Sequence, residues 1–317
     1  MEILLNNLTN PALLFFILGI FSKQVKSDLE IPANSSKFIS IYLLFAIGFK
    51  GGQELSHGSI DSEVLYALLF SVALALLVPL YTFFILKKKL SIENAGAICA
   101  AYGSISAVTF ISAVYFLDSQ QLEFSGHMVA VMATMEAPSI AIGVMLISRY
   151  SSEQNRKNNL NVSIGHAMTN GSVLLILGSL LVGFIVNDDQ AAGIKPFTTD
   201  IFTGFLAIFL LDMGLTCGEK IGDLFKKGWF IPTFAIIIPL INGTLTCILA
   251  KLVTSNTNDQ FLFAILAGSA SYIAVPAAMK LVAPKANPGI YVPMALAITF
   301  PINITIGIPY YFWLSQF

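Results

Sequence analysis

Long apolar segments follow one another along nearly the whole chain, and they constrain its fold more than any other feature. A helix needs about 20 mostly apolar residues to cross the hydrocarbon core of a bilayer. The sequence contains ten such segments, at 10–26, 37–57, 64–86, 92–116, 124–148, 169–187, 199–219, 229–252, 261–281 and 289–314. We therefore predict an all-α membrane protein with ten transmembrane helices in a lipid bilayer.

The composition excludes several other classes of protein. Only 11% of the 317 residues are charged, whereas soluble domains average about 25%. The net charge is −1 and no basic block occurs, so we expect no nucleic-acid partner. We find no phosphate-binding loop, no paired nucleophile and base, and no Cys/His metal motif. We therefore expect neither an enzyme nor a cofactor, apart from a transported coupling ion.

The distribution of basic residues predicts the orientation of the chain. Most of the 17 basic residues lie in alternate connections between the spans, at 23–37, 87–89, 149–157 and 220–227, with two more at 280–285. Because basic connections stay in the cytoplasm, this alternation places both termini outside the cytoplasm.

A weak internal repeat divides the chain into two halves. The motif Gly-Ser-x-Ser occurs at 103–106 and again at 268–271, Gly48 and Gly52 recur as Gly214 and Gly218, and Gly19 matches Gly178. Any one such pair is ordinary helix-packing material, but ordered pairs at similar offsets indicate a repeat. Five spans per half require the halves to run oppositely, which is typical of secondary transporters. We predict a first repeat at 1–150, a cytoplasmic loop at 151–165 and a second, inverted repeat at 166–317.

The two Gly-Ser-x-Ser motifs form the predicted binding site. If spans four and nine break there, two helix N-termini face one cavity in the middle of the membrane. Free N–H groups and helix dipoles then favour a small anion, and hydroxyl oxygens suit Na⁺, with Ser104 and Ser271 as candidate ligands. The residues predicted from the motifs are Gly103, Ser104, Ser106, Thr109, Gly268, Ser269 and Ser271.

Ionisable residues inside the spans are further candidates, because burying a charge in a bilayer is costly. Glu136 has three interpretations: it coordinates a cation, relays a proton, or holds span five against span four. Asp212 is either functional or a hydrogen-bonded strut to a neighbouring helix. Lys50 and Glu54 are four residues apart, which predicts an ion pair along one helical face.

Six short stretches match a known family in their order and spacing: Ile47–Gly52, Tyr102–Thr109, Met135–Pro138, Met213–Ile221, Ser269–Pro276 and Ala286–Pro288. On these stretches the chain resembles the sodium-dependent bicarbonate transporters first described in cyanobacteria. The resemblance implies a multi-pass homotrimer of the inner membrane that works by an elevator mechanism. It implies a moving core domain of spans four, five, nine and ten, and a gate domain of the other spans. It also implies that bicarbonate and Na⁺ bind where spans four and nine meet.

The resemblance also adds site residues and a partner. The chain has Tyr272 where the family has an Asp that helps to hold Na⁺, and Glu136 where the family has Asp, so both join the predicted site. Family members are regulated by a trimeric PII-like protein at the cytoplasmic face, which makes such a regulator a candidate partner.

These observations predict a secondary transporter of a small anion, with Na⁺-dependent bicarbonate symport as the first hypothesis. One alternative is H⁺- or Na⁺-coupled transport of another small anion, such as a monocarboxylate. Another alternative is a membrane receptor or a channel.

Overall fold

Helices account for most of the chain in the computed structural model. The residues it describes are 10–57, 62–151, 171–225, 228–272, 275–276, 278–279 and 283–317. Apart from Ser151, the predicted cytoplasmic loop at 151–165 lies outside this part. No strand occurs among the described residues, so the all-helical class is confirmed.

Fourteen α-helices have both ends in the described part, and all except the short Asp188–Ala192 lie largely within the apolar segments of the sequence. They are α1 Pro11–Gln24, α2 Ala33–His57, α3 Ser62–Leu86, α4 Ile92–Gly103, α5 Ala107–Ser119, α6 His127–Tyr150, α7 Gly171–Ile185, α8 Asp188–Ala192, α9 Phe202–Phe225, α10 Phe230–Ala250, α11 Thr257–Ala267, α12 Pro288–Pro293, α13 Phe300–Ile302 and α14 Ile308–Ser315. Three π-helical segments, Pro196–Asp200, Met294–Thr299 and Asn303–Gly307, lie before α9 and between α12, α13 and α14.

Six helical stretches of the described part are long and apolar enough to cross a membrane: Ser62–Leu86, Ile92–Ser119, His127–Tyr150, Pro196–Lys220, Phe230–Ala250 and Pro288–Ser315. Pro11–Gln24 and Leu174–Ile185 are apolar but shorter. Among the six, Ile92–Ser119 is the most deeply enclosed, with 94% of its most apolar window buried. The stretch that carries the first Gly-Ser-x-Ser motif is therefore surrounded by protein.

Both Gly-Ser-x-Ser motifs interrupt a helix, as the sequence predicts. The first break separates α4 from α5 at Ser104–Ser106, and the second follows α11 at Gly268–Tyr272. Gly has little helix propensity, and Ser side chains compete for backbone groups. The Ser106 side chain accepts a hydrogen bond from the Thr109 N–H at 3.2 Å and so caps the start of α5.

Prolines inside α3 and α10 each leave a backbone carbonyl without its helical hydrogen bond. In both cases a hydroxyl group of a neighbouring helix donates to that carbonyl. Pro79 and Pro239 lack an N–H group, so each leaves the carbonyl four residues earlier without its helical partner. The Ser139 hydroxyl donates to the freed Ala75 carbonyl at 2.9 Å. The Thr299 hydroxyl donates to the Ala235 carbonyl at 2.8 Å. These hydrogen bonds tie α3 to α6 and α10 to the last helical stretch.

Glycines bring two further pairs of helices into backbone contact. A Cβ atom at Gly19 of α1 would collide with the Leu211 carbonyl oxygen of α9. A Cβ atom at Gly183 of α7 would collide with the Phe49 carbonyl oxygen of α2. Gly178, the predicted counterpart of Gly19, faces open space instead. Gly183, five residues or about 1.4 helical turns further on, makes the close contact because it lies on the side of α7 that faces α2.

Of two polar contacts predicted from the sequence, one is replaced by another and one is observed. Lys50 does not pair with Glu54 but with Asp118 at the end of α5, at 2.8 Å, because that end lies beside α2. The Ser36 hydroxyl of α2 donates to the Asp212 carboxylate of α9, which is the strut interpretation of Asp212.

The contact at Gly183 predicts a difference between two glycines of one helix. Gly183→Ala should destabilise the protein by about 1–3 kcal/mol, because the added methyl group meets backbone that cannot rotate away. Gly178→Ala is the matched control and should stay within about 1 kcal/mol of the wild type, because Ala favours a helix. Thermal unfolding in detergent measures both variants. Equal melting temperatures for the two variants would contradict the close packing of α2 against α7.

Candidate functional site

The two helix breaks lie directly against each other and exchange hydrogen bonds. The Ser106 N–H of the first break donates to the Ser269 hydroxyl of the second at 2.9 Å. The Ser271 N–H of the second break donates to the Ala101 carbonyl at the end of α4, at 2.8 Å. The second break thus supplies a side-chain acceptor for the first, the end of α4 supplies a backbone acceptor for the second, and the two motifs form one local structure.

Several other polar groups at the second break also have hydrogen-bond partners. The Ser269 hydroxyl donates a hydrogen bond to the Leu266 carbonyl at 2.9 Å. The Asn303 side-chain amide donates to the Gly268 carbonyl at 2.7 Å, and the Ser271 hydroxyl accepts from the Val275 N–H at 3.3 Å. Irregular backbone at membrane depth is tolerated only with such partners.

We call the contact between the two breaks, Ser104–Ser106 and Gly268–Tyr272, the crossing. A small cavity of about 40 Å³ opens beside it. This volume holds roughly three water-sized groups, which suits a small ion rather than a large organic substrate. Its lining comes from α2, the two breaks, α5, α6, α7 and α9, and comprises Ser40, Leu43, Leu44, Ile105, Ser106, Ala107, Val108, Ile111, Glu136, Ile176, Phe209, Ser271 and Tyr272.

The predicted site residues divide into two groups. Ser106, Glu136, Ser271 and Tyr272 line the cavity. Gly103, Ser104, Thr109, Gly268 and Ser269 are buried in or next to the breaks but do not line it. Of the two predicted Na⁺ ligands, the cavity therefore receives Ser271 but not Ser104.

Glu136 dominates the electrostatics of the cavity. Its side chain is 5% exposed. Among the described residues of the lining, it is the only carboxylate, and none of them is basic. Hydroxyls of Ser106, Ser271 and Tyr272 surround the same space, and α5 begins there. Oxygen ligands and one carboxylate suit a hard monovalent cation. An anion bound here alone would be repelled by an ionised Glu136.

Several buried polar atoms next to the breaks have no hydrogen-bond partner among the described residues. They include the hydroxyls of Ser104 and Thr109 and the side-chain oxygen of Asn303. A buried polar group without a partner is costly, so these atoms favour a bound ion or water in this region. Within the described part, no group of three or more His, Cys, Asp and Glu side chains forms a transition-metal site.

Sequence reasoning missed two polar residues of this region. Ser40 of α2 lines the cavity, but it lies at the start of a predicted span, where polar residues are common. Asn303 supports the second break from the last helical stretch. An amide inside an apolar span was a usable signal, since such residues are usually buried against protein.

Comparison with family models matches residues 11–316, nearly the whole chain, to the family described as the Na⁺-dependent bicarbonate transporter superfamily. No curated protein matches the chain.

The crossing predicts a specific role for the Ser269 hydroxyl. Ser269→Ala leaves the buried Ser106 N–H without its acceptor and should cost about 1–3 kcal/mol of stability. It should also speed amide hydrogen exchange at the start of α5. Ser112→Ala is the matched control, because the buried Ser112 hydroxyl bonds only to Val108 of its own helix. If exchange at Ser106 were the same in both variants, the two breaks would not depend on each other.

Proposed function

Because the chain belongs to the Na⁺-dependent bicarbonate transporter superfamily, we propose that it is a secondary transporter that carries bicarbonate together with Na⁺. The family match extends over residues 11–316, so the assignment concerns the whole membrane unit. The observation that carries the proposal is the crossing of two broken helices beside a cavity that contains Glu136. Transport, rather than catalysis, is the activity that such a site serves.

The charges in the cavity favour cotransport over the movement of an anion alone. Glu136 and the hydroxyls of Ser106 and Ser271 supply oxygen atoms for Na⁺, and no Asp is needed at Tyr272. The start of α5 offers N–H groups and a partial positive charge to bicarbonate. Each ion reduces the cost of holding the other in a region of low dielectric constant. The site therefore binds the two ions better as a pair than separately.

The duplicated contacts support two inverted repeats, 1–150 and 166–317, of five spans each. Pro79 with Ser139 in the first half corresponds to Pro239 with Thr299 in the second, both at an offset of 160 residues. The resemblance implies a moving core domain of spans four, five, nine and ten. Because the Ser139 and Thr299 hydrogen bonds tie α3 to α6 and α10 to the last helical stretch, we propose that this core domain also includes α3 and α10. The glycine-packed helices α1, α2, α7 and α9 form the gate domain. Movement of one against the other gives alternating access by an elevator mechanism.

The cellular setting of the proposed transporter follows from the family and from the basic loops. We propose a multi-pass protein of the cytoplasmic membrane with both termini outside the cytoplasm, assembled as a homotrimer. A PII-like regulator is the proposed partner at the cytoplasmic face.

The position of Glu136 also favours a second candidate function. A carboxylate that lines a cavity without basic neighbours can take up a proton in place of Na⁺. The second candidate is thus H⁺-coupled transport of another small anion, such as a monocarboxylate.

Uptake by the purified protein tests the proposed function. In proteoliposomes, labelled bicarbonate should enter faster under an inward Na⁺ gradient than under an equal K⁺ gradient. An ionophore that collapses the Na⁺ gradient is the control and should remove the difference. Uptake that does not respond to Na⁺ contradicts symport, and acceleration by an inward proton gradient favours the second candidate.

A single substitution tests the role of Glu136. Glu136→Gln preserves the size of the side chain but removes its charge, so Na⁺ should no longer raise the melting temperature of the protein. Glu54→Gln is the matched control, because Glu54 is an exposed carboxylate of α2 outside the cavity. Undiminished stabilisation by Na⁺ in Glu136→Gln would place the cation elsewhere. Proton-driven uptake that survives in this variant would exclude Glu136 as the proton carrier.

A further inference from the structure

A second cavity, of about 350 Å³, lies at the end of α5 and is far more polar than the first. Its lining comes from α2, α5, the π-helical segment Pro196–Asp200 and the start of α9, and comprises Ala46, Ile47, Lys50, Tyr115, Asp118, Ser119, Thr198, Thr199, Phe202 and Thr203. Three threonines, a serine and a tyrosine offer hydroxyl groups to a bound ion, and Lys50 and Asp118 provide charges.

The two cavities follow one another along the same two helices. On α5, Ile111 lines the small cavity and Tyr115 lines the large one. On α2, Leu44 lines the small cavity and Ala46 the large one. A separation of four residues is about 6 Å along a helix. The large cavity is therefore adjacent to the small one, in the direction of the end of α5.

Lys50 is the only basic residue among the described residues that line either cavity. Its ammonium group is 2.8 Å from both carboxylate oxygens of Asp118. The side chains of Lys50 and Asp118 are 31% and 40% exposed, so water and ions reach the pair. Ion pairs with this exposure are weak, and a small anion can compete with Asp118 for Lys50.

We propose that the large cavity is a vestibule that binds a small oxyanion at Lys50 before the anion reaches the small cavity. The proposal rests on the proposed function, since it concerns the path of the transported anion. The Thr199 hydroxyl of the lining is a hydrogen-bond donor that suits an oxyanion, whereas the Thr198 hydroxyl already donates to the Ile194 carbonyl at 3.2 Å. Asp118 lowers the affinity of the vestibule for the anion, because it forms an ion pair with Lys50 when no anion is bound. A charge at the mouth of a cleft raises the local concentration of an ion of opposite sign.

The two members of the ion pair have opposite effects on an anion, and this provides the test. The experiment measures initial rates of bicarbonate uptake into proteoliposomes at constant Na⁺. Lys50→Gln leaves Asp118 unpaired and should raise the KM for bicarbonate about three- to tenfold. Asp118→Asn frees Lys50 and should lower the KM by a similar factor. The kcat should change by less than about twofold in both variants, because neither residue touches the small cavity.

A purely structural role for the ion pair predicts a different pattern. If Lys50 and Asp118 only hold α2 against α5, both substitutions break the same contact and shift the KM in the same direction. Lys50→Arg keeps the charge and should keep the wild-type KM. Lys195→Gln removes an exposed charge outside the cavity and is the matched control. Adding a salt of impermeant ions should narrow the difference between the variants, because salt screens the interaction.

The possible results separate this proposal from the proposed function. KM shifts of opposite sign in the two variants support the vestibule. If Lys50→Gln does not fold, a lower KM in Asp118→Asn supports it and an unchanged or higher KM overturns it. Shifts of the same sign, or no shift in either variant, overturn the vestibule while leaving transport intact. If the wild-type protein takes up no bicarbonate, the proposed function fails and the vestibule fails with it.

Discussion

Every backbone polar group that leaves a helix inside a bilayer needs a partner within the protein, and this requirement governs the centre of the structure. The chain leaves its helices at Ser104–Ser106 and at Gly268–Tyr272. The Ser106 N–H then donates to Ser269 of the opposite break, and the Ser271 N–H donates to Ala101 at the end of α4. The crossing is possible only because both breaks are enclosed by protein. It also means that neither half of the chain can complete its own break.

The same requirement explains why two prolines are tolerated in the middle of apolar helices. Each proline frees a carbonyl, and a hydroxyl of a neighbouring helix satisfies it: Ser139 in the first half and Thr299 in the second. The Tyr102 hydroxyl bonds to Thr299 at 2.8 Å. Because Thr299 already donates to Ala235, Tyr102 is the donor in this bond. The helices that carry the breaks are thereby connected to the helices that carry the prolines.

Charge is sparse near the cavities, so its placement matters. Among the residues that the structure describes, the lining of the small cavity has one carboxylate, Glu136, and no basic side chain. The large cavity holds a balanced pair, Lys50 and Asp118, which water reaches. A deep site with one negative charge is better suited to a cation, or to a cation with an anion, than to an anion alone. The proposed vestibule complements it by providing the positive charge that an approaching anion meets first.

Particular residues show which features the sequence alone predicts and which it does not. It located the apolar helices, the two breaks and Glu136, because these depend on hydropathy, on local helix propensity and on the cost of a charge in a bilayer. It paired Lys50 with Glu54, since both lie on one helix, but Asp118 lies closer in space. It matched Gly19 with Gly178, although Gly183 makes the close contact. Ser40 and Asn303 escaped notice because their importance depends on neighbours that are distant in the sequence.

The sequence by itself determined that this chain is a helical membrane protein, which segments are apolar, and which two motifs are candidate positions for helix breaks. Only the tertiary structure decided that the breaks cross, that Glu136 shares a cavity with Ser106 and Ser271, and that Lys50 faces Asp118. The reason is physical. Hydropathy and helix propensity belong to short stretches of chain. The partner of a buried polar group depends instead on which helices pack side by side, often more than 100 residues apart in the sequence.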